Sequence, residues 1–342
     1  MRAMVLDSFG TPLVLREVAE PTPAAHEVVV SIDACGVCGT DLKLQKGAIP
    51  GTPVPIILGH EIAGRVTATG GPDGESLIGR SVAVPLSWNC GQCEACRRGA
   101  DQFCSAMIGR PGFTVDGGLQ DVLCVPARMP VVLPDELDPL EAALLADCIS
   151  TVHHAIERAQ IVEGERVLII GAGGLGVHAL QLLVGADAVV SVSEPDSTKR
   201  QLAIDRGAVA AYVPAELEAA PPVAGSFLHG YEAVFDFVGT PSSAAVGLDQ
   251  LVPGGRLVLV GYTPGSEVSS TIVSMVMNER QVLASRSATR ADLVATSDML
   301  AGGAIDAIVS RTHALESVND AFADLADGVV VGRSVIDMSL GR

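Results

Sequence analysis

Val167-Leu168-Ile169-Ile170 is apolar at every position, and it runs directly into Gly171-Ala172-Gly173-Gly174-Leu175-Gly176 and then a helical pattern through about Val184. A strand without a polar face is buried on both sides, which calls for helices above and below a parallel sheet. Similar runs at Val189-Val190, Ala233-Val234-Phe235, Leu257-Val258-Leu259-Val260 and Val282-Leu283 extend the pattern. A doubly wound α/β sheet is expected. The glycine turn matches G-x-G-x-x-G between strand and helix, where the glycines permit a tight turn, close approach to a pyrophosphate and close helix-on-sheet packing. Taken alone, the fingerprint is also compatible with an ordinary glycine-rich loop. Glu194 ends the second strand about 20 residues further on, where an acid accepts hydrogen bonds from the adenosine ribose. Because a carboxylate there repels a 2′-phosphate, NAD is expected rather than NADP. Lys199 is close enough in sequence to reach the same ribose.

The chain before this region reads differently. Val28-Val29-Val30-Ser31-Ile32 is a strand candidate, and Pro50, Pro53, Pro55, Gly64, Gly70, Gly71 and Pro72 cut the surrounding sequence into short pieces. A small barrel-like β domain is expected. Asp138-Pro139-Leu140-Glu141 then places an N-cap, an N1 proline and an N3 glutamate at the start of a helix that continues through Ala142 to Ala146.

Two sets of metal-binding residues fall in this part. Cys90, Cys93, Cys96 and Cys104 follow C-x2-C-x2-C-x7-C spacing, so one loop can place four thiolates around a structural Zn²⁺. Cys38 and the pair His60-Glu61 supply thiolate, imidazole and carboxylate without a complete shell, as a catalytic zinc requires. Disulfides are disfavoured because 8 cysteines in 342 residues are sparse and no secretory leader pattern opens the chain. A reducing, cytoplasmic setting is expected. Cys35, Cys124 and Cys148 fit no metal spacing and read as small buried hydrophobes.

Composition limits the alternatives. A chain of 342 residues that is 48% hydrophobic can bury two cores. A net charge of −18 with no Lys/Arg cluster argues against nucleic acid or an anionic membrane surface as partner. No apolar run reaches the length needed to span a bilayer.

Taken in order, Gly36-Val37-Cys38-Gly39-Thr40-Asp41, Gly59-His60-Glu61, the four-cysteine loop, Asp116-Gly117-Gly118, the Gly171 to Gly176 turn and Gly332-Arg333-Ser334-Val335 resemble the zinc-dependent medium-chain alcohol dehydrogenases. The resemblance covers essentially the whole chain. It implies a GroES-like β-rich catalytic domain at 1–151, a Rossmann domain at 152–288 and a return to the catalytic domain at 289–342. It also implies two zinc ions per chain, NAD, a small alcohol or carbonyl substrate, and assembly as a homodimer or homotetramer. The third catalytic zinc ligand then falls on Asp147, with the adjacent Cys148 as the rival. Cys38, His60 and Asp147 together would carry two negative charges, balancing Zn²⁺. Glu61 resembles a residue that sits behind the metal or moves in to coordinate it. Thr40 resembles the hydroxyl that accepts the alcohol proton; an N-cap is its other possible role. Arg333 is carried over as a cofactor contact, alongside Gly171, Gly173, Gly174, Leu175, Gly176, Glu194 and Lys199.

Two positions depart from the family pattern. Lys43 stands where many relatives end the proton relay with histidine. Arg286, in Ala284-Ser285-Arg286-Ser287, stands where an apolar or aromatic residue often lines the outer substrate pocket; it can pair at an interface or select an anionic substrate. Leu86 and Trp88 are candidate pocket walls or core residues. Three function classes follow: a zinc and NAD dependent alcohol or polyol dehydrogenase, a zinc-independent quinone or enoyl reductase of the same fold, and a non-enzymatic zinc or nucleotide-binding protein. Cys38, His60 and Glu194 favour the first.

Overall fold

The computed structural model describes residues 1–219 and 230–341. The chain divides into two compact units, one made of Met1–Ser150, Ser287–Gly303 and Ala307–Arg342, the other of Thr151–Arg286 and Ala304–Asp306.

The first unit is organised around one long strand, β1 (Glu27–Val37), which extends well beyond the five-residue run expected from sequence. Its length follows from its partners. One edge pairs antiparallel with β2 (Glu61–Thr69), and the other is shared between Val122–Pro126, opposite Glu27 to Ser31, and a late strand opposite Ala34 to Val37. Bulges between Val29 and Val30 and between Ile32 and Ala34 let β1 bend. Val28, Val30 and Ile32 point into a core with Ile62, Val66, Val82 and Val84. Each such side chain gains about 2 kcal/mol by leaving water. Directly after β1, the short helix α1 (Gly39–Gln45) begins.

The helix expected from Asp138 does form, with the Asp138 carboxylate accepting the Leu140 N–H at 2.8 Å, but it runs only over Pro139–Ala143. A 3-10 turn at Leu144–Ala146 replaces its continuation. The backbone of Asp147 (φ −140°, ψ −60°) then leaves the helical region before a new helix starts at Cys148. This break aims the Asp147 side chain away from the helix line.

The second unit holds a six-stranded, all-parallel sheet. Its strands are β3 (Arg166–Ile170), β4 (Val189–Ser193), β5 (Ala210–Tyr212), β6 (Tyr231–Asp236), β7 (Leu251–Leu259) and β8 (Gln281–Ala284), in the spatial order β5-β4-β3-β6-β7-β8. The order reverses between β3 and β6, so the crevice beyond their carboxyl ends is the switch point of a doubly wound sheet. The apolar run in β3 serves both faces: Val167 and Ile169 join a cluster with Ala179, Leu180 and Leu183, whereas Leu168 and Ile170 join Leu248, Leu251 and Leu257. The three-residue β5 has no fully buried side chain and carried no sequence signal. The glycine turn after β3 leads into α2 (Gly174–Gly185).

Ser287 returns the chain to the first unit. There α3 (Arg290–Ala301) is capped by Thr289, and the late strand β9 (Arg333–Asp337) completes the edge of β1. Among the described residues no helix is long and apolar enough to cross a membrane.

Candidate metal centre and cofactor cradle

Cys38 is placed by the end of β1 and the start of α1. It is the N-cap itself: its Sγ accepts the Thr40 N–H at 3.5 Å, while Asp41 Oδ2 accepts the Cys38 N–H at 2.9 Å. Thr40 is therefore not the cap, and stands at the second helical position. Asp41 Oδ1 lies 3.1 Å from Nδ1 of the fully buried His60. A hydrogen bond there places the neutral ring's proton on Nδ1 and leaves Nε2 as the lone-pair nitrogen.

That nitrogen is a buried atom without a hydrogen-bond partner among the described residues. It lies 3.6 Å from Asp147 Oδ2, which is 3.9 Å from Cys38 Sγ. One ligand atom from each of Cys38, His60, Glu61 and Asp147 falls within 4.8 Å of the others, a donor set suited to zinc. The broken helix described above is what carries Asp147 to this point. Cys148 is fully buried, and burial raises its thiol pKa well above the usual value. Burial alone would lower the His60 pKa, but the carboxylates of Asp41 and Asp147 and the hydrogen bonds around the ring hold it well above 6.5.

Glu61 is tied to a buried guanidinium. Arg333, only 5% exposed, reaches Glu61 Oε1 through Nη2 at 2.7 Å and both carboxylate oxygens through Nε at 3.1 and 3.2 Å. Its Nη2 also lies 3.5 Å from Cys38 Sγ. Complete burial pushes the Glu61 carboxyl up to about 7, opposed by Arg333. The pair also explains Gly36: a Cβ there would sit 2.0 Å from Glu61 Oε2. The expectation for Arg333 was a cofactor contact; its guanidinium here lies against Glu61 and Cys38. Lys43, half-buried one turn into α1, has its pKa lowered by burial, with Cys38 opposing the shift. Phe113 packs edge-on to His60, with ring centroids 5.2 Å apart.

The four-cysteine loop gathers as its spacing suggests. Cys93 Sγ is 3.4 Å from Cys96 and 3.8 Å from Cys104, and Cys90 Sγ is 4.0 Å from Cys96. All eight cysteines are free thiols. Backbone hydrogen bonds at Cys96 and Ser105 draw Cys93 down to about 5, whereas desolvation and the neighbouring thiols push Cys96 up to about 12. One sulfur from each of the four lies within 4.8 Å of the others, a donor set suited to a structural zinc.

In the second unit Gly171 adopts φ +92°, and its N–H bonds Ser193 O at 2.8 Å. A Cβ on Gly176 would lie 1.9 Å from Gly171 O, so the helix can start this close only with glycine. A Cβ on Gly173 would meet nothing within 4 Å, which leaves open space over the start of α2. The first turn of a helix is where backbone N–H groups can meet an anion. The buried Glu194 carboxylate accepts the Ala172 N–H at 2.8 Å and the Asp196 N–H at 3.0 Å, tying the acid to the turn. Lys199 lies in the first turn of Ser197–Asp205, its N–H bonded to Asp196 Oδ1 at 2.9 Å. Arg200, which the sequence reading did not single out, donates from Nη1 to the carbonyls of Glu194 and Pro195 at 2.7 Å. Arg286 is exposed just beyond β8, Trp88 is 5% exposed, and Leu86 is partly buried.

Comparison with known proteins agrees with this geometry. Residues 24–135 match the family described as the alcohol dehydrogenase GroES-like domain, and residues 174–302 match the zinc-binding dehydrogenase family. The chain is 32% identical to an alcohol dehydrogenase of Geobacillus stearothermophilus, over 99% of both sequences. It is also 32% identical to the D-arabinose 1-dehydrogenase (NADP(+)) of Saccharolobus solfataricus, over 98% of this chain and 97% of that one. Among solved structures, the alcohol dehydrogenase of Aeropyrum pernix superposes with a TM-score of 0.90 at 28% identity, covering 98% of this chain and all of that one.

Proposed function

Because this chain belongs to the medium-chain, zinc-binding alcohol dehydrogenase family, we propose that it moves a hydride between NAD(H) and a secondary or primary alcohol or the corresponding ketone or aldehyde. The carrying observation is the buried, partnerless Nε2 of His60 facing Cys38 and Asp147. Zinc bound there supplies Lewis-acid polarisation of a substrate oxygen, and NAD supplies the hydride acceptor. Cys38, His60 and Asp147 hold the metal, and their two negative charges balance it. Arg333 neutralises Glu61, the fourth donor beside them. Thr40, two residues after Cys38, accepts the alcohol proton. Lys43, with its pKa lowered, is the next basic group along α1 for that proton. The turn from Gly171 to Gly176 holds the pyrophosphate, and Glu194, with Lys199 in the helix that follows, holds the ribose and disfavours a 2′-phosphate. Arg333 remains a candidate cofactor contact in addition to its bond to Glu61. The second zinc belongs to the four-cysteine loop.

A polyol or sugar substrate is the second reading, supported by the D-arabinose 1-dehydrogenase relative. Retention of the whole metal cluster disfavours a zinc-free reductase. A homo-oligomer in the cytoplasm is part of the proposal. Its support is the edge position of β8 in the sheet, the exposed Ile272 and Met277 (81% and 72%) of the short helix before it in sequence, and the eight free thiols.

The test is zinc content by elemental analysis of the wild type and Cys38→Ser, beside NAD-linked oxidation of an alcohol panel. About two zinc ions per chain, falling to about one with loss of turnover in the variant, is expected. A folded wild type that never met chelator and holds one zinc or none would sink the catalytic reading.

A further inference from the structure

His178 is wholly buried in α2, and its Nδ1 lies 2.6 Å from the carbonyl oxygen of Gly174. A carbonyl oxygen only accepts, so Nδ1 carries the ring proton. The helical register also aims the backbone N–H of His178 at this oxygen. Two donors therefore converge on one carbonyl at the first residue of the helix. The C=O of Gly174 and the N–H of Leu175 belong to the same peptide unit, and loading the oxygen polarises the unit so that its N–H becomes a stronger donor. That N–H is among the first-turn amides that no intrahelical carbonyl can accept. It lies two residues after Gly173, where an added Cβ would meet nothing within 4 Å.

We infer that His178 is a positioning residue of the cofactor cradle. Through the Gly174 carbonyl it fixes the first turn of α2 and strengthens the Leu175 N–H toward a pyrophosphate oxygen, without touching the cofactor. The inference rests on the reading above that the turn binds a dinucleotide. A histidine that only filled space between helix and sheet would support every ligand alike, or none. A histidine acting through this peptide supports only those that carry phosphate.

The test is calorimetric titration of the purified zinc-loaded protein with NAD, ADP and adenosine. His178→Met is expected to lose about three- to tenfold in affinity for NAD and ADP and less than about twofold for adenosine. His178→Asn, whose amide N–H can reach the same carbonyl, is expected to restore NAD affinity to within about twofold of wild type. Equal losses for adenosine, unchanged NAD and ADP binding in His178→Met, or no rescue by asparagine would each overturn the inference. If His178→Met does not fold, nitrogen-15 spectra of the histidine-labelled wild type decide. A protonated Nδ1 whose resonance moves with ADP and not with adenosine supports the role, and a ring protonated on Nε2 alone, or no ADP-specific movement, removes it. A wild type that binds neither NAD nor ADP overturns the cofactor reading itself, a result distinct from intact binding that ignores His178.

Discussion

Asp41 and His60 form a buried pair, Oδ1 to Nδ1 at 3.1 Å, while the other oxygen of Asp41 accepts the Cys38 N–H at 2.9 Å. One carboxylate thus fixes the tautomer of one metal donor and the backbone of another. Asp41→Ala is expected to lower zinc affinity at the Cys38 cluster roughly 10- to 100-fold. Loss of the reciprocal cap should also cost about 1 kcal/mol of stability. Competitive zinc titration and urea denaturation measure the two effects separately; a change in stability alone would confine Asp41 to capping.

Glu61 and Arg333 make the second prediction. Removing the carboxylate in Glu61→Gln leaves a buried guanidinium uncompensated, and about 3–5 kcal/mol of destabilisation is expected. The double variant Glu61→Gln/Arg333→Met should recover much of that loss. Denaturant midpoints of the two single variants and the double close the cycle, and additive losses would show that the pair is not coupled.

The third prediction concerns pH. The raised pKa of His60 in the metal-free chain means that its contribution to stability is fully present below the unfolded value near 6.5 and is lost as pH rises through the folded value. Zinc requires the neutral ring, so binding releases a proton and apparent affinity falls as pH falls below the folded pKa. Proton release on zinc addition, followed in weak buffer with an indicator dye, should diminish at alkaline pH; release that does not vary with pH would place the proton elsewhere.

Two glycines in the cradle should behave in opposite ways. Gly176→Ala drives a Cβ to 1.9 Å from Gly171 O, so it should lower the melting temperature. Gly173→Ala meets nothing within 4 Å, so it should fold normally while obstructing the pyrophosphate space, weakening NAD binding at least about tenfold. Melting curves and NAD titration of the two variants distinguish them; normal NAD binding by Gly173→Ala would place the cofactor elsewhere.

Local patterns made much of this legible in the sequence. The run Val167 to Ile170 announces a strand buried on both faces, and the glycines after it announce the turn. Cysteine spacing alone gathers the four-thiol loop. What was not legible depends on contacts between distant segments. The length of β1 comes from partners as far away as Arg333–Asp337. Asp41 sat inside a recognised motif, yet its two hydrogen bonds appear only when α1 lies against His60. The apolar residues around Ala142 to Ala146 read as continuous helix because periodicity has no term for a break that carries Asp147 to a metal. Gly36 has no evident purpose until Glu61 folds over it.

The bond between Glu61 and Arg333 joins residues 272 positions apart. A ribosome adding about 5–20 residues per second needs roughly 14 to 54 s to cover that interval. Cys38 and His60 are already made when it begins and Asp147 is added within it, while the Glu61 carboxylate lacks its counter-ion to the end. A newly made N-terminal segment therefore offers an arriving cation a Glu61 carboxylate that no guanidinium yet neutralises. Arg333 supplies that counter-ion last.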